Sequence, residues 1–75
     1  EGNIDAYIGL CMIYIRAEHI QIAHQTMEQL RPVFKSHPRY WAANNIYNLD
    51  EHIPENIDKN SIDREEKYLR DMYRL

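Results

Sequence analysis

Ten consecutive residues without a charge, Ala6 to Ile15, constrain this chain more than any other feature. A membrane-spanning helix needs about 20 apolar residues. The run is far shorter, and Asp5 and Arg16 close it on both sides. It therefore reads as a segment buried in protein, and no membrane contact is expected. Isoleucine recurs in it, which raises a buried strand as an alternative. Strands centre on about 5–6 residues, and the run with its flanks is longer, which favours a helix. Ile4, Tyr7, Ile8, Cys11, Tyr14 and Ile15 return at helical spacing, and Leu10, Met12 and Ile13 widen the apolar face well past one stripe. The expectation is a helix over 4–17, capped by Asn3 or Asp5, with Leu10 and Ile13 in the core. It should be the most buried element of the fold.

The rest of the chain follows the same grammar. Ile20, Ala23, Met27, Leu30 and Phe34 step by three or four from residue 20 onward, with polar residues between them. Pro32 lacks an amide donor, so this second helix should kink or end near Leu30. Ser36, His37 and Pro38 form a turn, and a third helix is expected over 39–49. Pro54 and scattered Asn and Asp mark 50–60 as a loop. Ser61 should cap a fourth helix over 62–74, in which Glu66–Arg70 and Lys67–Asp71 are spaced as i,i+4 pairs. Its acidic start and basic end complement the helix macrodipole. The reading is an all-α fold of about four helices, arranged as two antiparallel helical hairpins in one small domain over 1–75.

With 75 residues, such a domain buries only roughly 60% of its unfolded surface. Residue 1 is Glu, and the chain reads as a piece of a longer protein. One cysteine excludes an internal disulfide framework. With no basic segment ahead of the apolar run and no disulfides, an intracellular setting is expected. The net charge of −3 offers no footprint for direct nucleic-acid binding.

Catalytic chemistry finds no foothold. No two of the four histidines lie at i,i+4. His24 and Glu28 do, but two ligands do not make a zinc site, and a solvated helix face is expected there. Cys11 has no basic neighbour to activate it and reads as a small buried residue. Asp50, Glu51, His52 and Glu55 read as a solvated loop rather than a cation site. Arg39, Tyr40 and Trp41 come closest to a nucleic-acid patch, with Trp41 better read as core or peptide contact. No enzyme activity and no cofactor are expected.

A repeat is visible. Tyr7 and Tyr14 are seven apart, Tyr40 and Tyr47 are seven apart, and the two pairs are offset by 33 residues. Residues 7–35 resemble one tetratricopeptide repeat: Tyr7, Leu10, Cys11 and Tyr14 match its first helix, and Ala23, Met27 and Leu30 its second. Small Cys11 and Ala23 would let the paired helices approach closely. The family's turn glycine is replaced, since Glu18-His19 stands where Gly-Asp or Gly-Arg is usual. Residues 40–75 resemble a second copy loosely. Asn44 takes a small-residue position, and the second helix fits only if 50–60 is an insertion.

The resemblance implies protein–protein interaction through a concave groove lined by the first helix of each hairpin. Groove positions would be Asp5, Ile8, Met12, Ile15 and Arg16, then Trp41, Asn45, Asn48 and Leu49. Ile8, Met12, Ile15 and Trp41 would take the apolar face of a partner helix or peptide, and Asn45 and Asn48 would bond its backbone. The competing assignment makes these apolar residues core, covered by Leu69 and Met72. The partner would be another protein, a peptide or a second copy of the chain. An alternative role is sensor or dimerisation segment of a larger transcription regulator.

Overall fold

The computed structural model describes residues 3–47 and 52–75. Within them the chain is all-α. It forms four helices: α1 (Ile4–Arg16), α2 (Ile20–Phe34), α3 (Pro38–Tyr47) and α4 (Lys59–Tyr73).

Local chemistry sets the ends. The Asn3 side chain accepts from the Asp5 amide and caps α1. At its other end the His19 amide bonds the Tyr14 carbonyl and the Glu18 amide bonds the Ile15 carbonyl. That pair of bonds is a Schellman motif. Glu18 takes the left-handed conformation the motif requires, with φ 65°. This is the turn position at which the sequence lacks glycine. Pro32 neither ends nor interrupts α2, which runs on to Phe34. The proline deprives only the Glu28 carbonyl of its amide, and both residues lie on the solvent side. The fourth helix begins three residues before the expected start, because Asp58 rather than Ser61 caps it. The Asp58 carboxylate accepts from the Asn60 amide at 3.2 Å and from the Ser61 hydroxyl at 3.1 Å. Glu66 and Arg70 form the expected ion pair at 3.0 Å.

The most buried element is α3, not α1. Residues 40–44 are buried in succession, and Ile46 and Tyr47 follow. Ala42 and Ala43 leave room for close neighbours. All three other helices pack on α3, α1 also packs on α2 and α4, and α4 makes no packing contact with α2. The core is built from Ile8, Cys11 and Met12 of α1, Ala23, Met27 and Leu30 of α2, the apolar residues of α3, and Ile62 and Leu69 of α4, with Ile57 added by the loop. Leu10 and Ile13 do not belong to it: they are 43% and 55% exposed. The run of apolar residues encircles α1, but only one side of that helix meets α3.

A second contact holds the helices in place. Arg39, at the start of α3, donates to Glu65 Oε1 at 2.6 Å and also pairs with Asp5. Its guanidinium lies 5.1 Å over the Tyr68 ring. One side chain thus ties α3 to the start of α1 and to α4. Its charge is neutralised within the domain.

Candidate interaction face

Three of the expected groove residues are interior. Ile8, Met12 and Trp41 are buried, so they are core and not an open groove. The Trp41 indole donates to the Lys35 carbonyl at 2.7 Å. Ile15 is half-buried against the core. Asn45 is half-buried, and its amide reaches Glu66 Oε1 at 3.5 Å. Arg16 is exposed. Asn48, Leu49, Asp50 and Glu51 lie outside the described residues. Leu69 covers the core as the competing assignment has it, whereas Met72 is 58% exposed and does not.

Polar side chains also reach the interior. The Tyr47 hydroxyl donates to the Cys11 carbonyl. The His24 ring meets Tyr47 edge-on at 5.8 Å. His24 is therefore half-buried between helices, not on the solvated face the sequence suggested. Burial pushes the Cys11 thiol up to about 11, with the Tyr47 hydroxyl offsetting part of the rise. A thiol held protonated is a poor nucleophile. Among the described residues no three His, Cys, Asp or Glu side chains gather to hold a metal ion, and no helix is long and apolar enough to cross a membrane. A hollow of about 510 Å³ is lined by the turn and first residues of α2, Glu18 to Ile22 with His24. It brings no distant groups together.

What α1 does present is a continuous apolar surface. Ala6, Leu10, Ile13 and Ala17 are all exposed and follow one another by 4, 3 and 4 residues. That spacing is one stripe on a helix, about 16 Å long at 1.5 Å per residue. Tyr7 flanks it on the α2 side, where its ring lies 6.2 Å from Phe34, and half-buried Tyr14 continues that flank. Asp5 and Arg16, eleven residues and so nearly whole turns apart, flank the opposite side. No charged residue interrupts the stripe. Exposed Tyr68, Met72 and Leu75 form a shorter line along α4 and just past its end, with the Arg39 guanidinium lying over the Tyr68 ring.

The groove reading drew its positions from the resemblance, whereas the stripe lies opposite the side of α1 that α3 covers. Compared with protein-family models, curated proteins and solved structures, the chain has no significant match in any of the three.

Proposed function

We propose that this chain is a protein–protein interaction module, tetratricopeptide-like in residues 7–35, and that the outer face of α1 is its contact surface. The observation that carries the reading is the uninterrupted stripe Ala6, Leu10, Ile13 and Ala17 on the exposed side of α1. Contiguous exposed apolar surface on a small domain marks an interaction site more often than scattered apolar residues do. A stripe at 4-3-4 spacing fits the apolar side of another helix. The repeat-like part of the reading is supported by the buried pair Cys11 and Ala23 between packed helices, and by the left-handed backbone at Glu18. The partner that fits this face is a helix or helical peptide, from another protein or from a second copy.

The test is a displayed library of amphipathic helical peptides screened against the wild-type domain and against a Leu10→Glu/Ile13→Glu variant. Enrichment of peptides that bind the wild type and lose the variant is the expected result. A domain that enriches no peptide, and that is also monomeric at about 200 µM, refutes the reading.

A further inference from the structure

We infer that the occupant of the α1 face is a second copy of this chain, its α1 docked antiparallel to the first about a twofold axis near the level of Cys11. The inference rests on the interaction reading above and specifies its partner. An antiparallel twofold pairs each position with its mirror in the sequence. Ala6 then meets Ala17 of the other copy, and Leu10 meets Ile13. The stripe reads small, large, large, small from either end, so it is self-complementary in volume. In such a pairing like flanks of the two helices lie side by side. Asp5 of one copy therefore faces Arg16 of the other, with an axial offset of two residues, about 3 Å. The same offset brings Tyr7 opposite Tyr14.

The charges select this arrangement. Asp5 stands at one end of the flank and Arg16 at the other, so the antiparallel pair makes two opposite-charge contacts. A parallel pair sets the charged flank of each copy against the tyrosine flank of its partner and makes none. Arg16 forms no ion pair within the described residues. Asp5 is 69% exposed even while it pairs with Arg39, so its carboxylate has lone pairs left to accept from a second guanidinium.

Sedimentation equilibrium of the chain over 1–200 µM tests this. A single-helix interface falls at the small end of stable interfaces, and a reversible dimer that forms within this concentration range is expected. Ile13→Asp places a carboxylate on each side of the axis and should raise Kd by about 100-fold, with the helical circular dichroism unchanged because residue 13 is exposed. Arg16→Asp should raise Kd by about tenfold, and Asp5→Lys combined with Arg16→Asp should restore most of it. If Ile13→Asp lowers the helix signal, cross-linking replaces it. Leu10→Cys and Ile13→Cys proteins, mixed and oxidised, should give the mixed disulfide dimer in excess over either homodimer. A wild type that stays monomeric at 200 µM overturns the inference, as does a dimer indifferent to Ile13→Asp or an excess of homodimeric disulfides. A monomer that still enriches helical peptides overturns only the self-pairing and leaves the interaction reading standing.

Discussion

The contact between α1 and the end of α4 can be probed at a single glycine. A Cβ built at Gly9 would stand 2.7 Å from the Tyr73 hydroxyl oxygen and 3.7 Å from the ring carbon that bears it. Two effects then oppose each other in Gly9→Ala. Alanine inside a helix is favoured over glycine by about 0.5–1 kcal/mol, because less backbone entropy is lost on folding. Against this, the Tyr73 ring must swing away, and a side chain pushed about 30° from its rotamer costs about 0.5–1.5 kcal/mol. In the wild-type background the two nearly cancel or the clash wins. Tyr73→Phe removes the only atom in conflict, and that hydroxyl makes no hydrogen bond among the described residues. In the Tyr73→Phe background Gly9→Ala should therefore stabilise by about 0.5–1 kcal/mol. For a domain of this size that is roughly 2–8 °C in Tm. The double-mutant cycle should return a coupling of about 0.5–1.5 kcal/mol. The measurement is urea or thermal unfolding by circular dichroism at low micromolar concentration, where self-pairing contributes little. If Gly9→Ala stabilises both backgrounds equally, within about 0.3 kcal/mol, then Tyr73 does not lie on Gly9 and the placement of α4 against α1 is wrong.

Three further outcomes follow from burial and backbone. Met12→Ala should cost about 2–5 kcal/mol in denaturant unfolding, whereas Leu10→Ala and Ile13→Ala should each cost under about 1 kcal/mol; the reverse order would restore Leu10 and Ile13 to the core. Glu18→Gly should stabilise by about 0.5–1 kcal/mol by relieving the left-handed strain at φ 65°, and a loss of Tm would show that Glu18 does not hold that conformation. In alkali the native fold keeps the Cys11 proton that the unfolded chain releases, since burial raises the thiol from 9.0 to about 11. Stability is thus fully present below pH 9 and falls as pH rises from 9 to 11, by at most about 3 kcal/mol. Cys11→Ala should flatten that step, and Tyr47, also raised by burial, should continue the loss above pH 10. Equal alkaline curves for the wild type and Cys11→Ala would remove the assignment.

The helices were legible because each has its own local signature. Asn3 caps α1, Pro38 opens α3, and α2 and α4 alternate apolar and polar residues at the helical period. What the sequence could not show was which side of α1 faces inward. Its apolar residues lie all round the helix, so periodicity gave no direction, and Leu10 and Ile13 were placed inside. Only the position of α3 decides, and α3 is the helix with the least polarity contrast of its own. Buried on nearly every side, it has no polar face to leave a pattern. His24 was misplaced for a related reason. Its neighbours on α2 are polar, and the tertiary contact with Tyr47 lies outside any local rule. The cap at Asp58 rather than Ser61 is a smaller miss, since both residues can cap and the choice turns on which side chain reaches the free amide.

The exposed stripe and the buried helix have a common cause. A chain of this length forms one core, and here a single helix fills it. With α3 at the centre, α1, α2 and α4 can each cover only one of its sides. Among the described residues, nothing meets the side of α1 that faces away: α2 lies beyond Tyr7, and α4 lies beyond Gly9. A sequence under no further constraint would place polar residues there, as it does at Gln25, Glu28 and Gln29 on the outer side of α2 or at Arg64, Lys67 and Asp71 on α4. Exposed Ala, Leu and Ile bring no stability in water and raise the risk of non-specific association. Their continuity over three turns, with the charges of α1 held to one flank and opposite in sign at its two ends, is the pattern on which the proposed self-pairing rests.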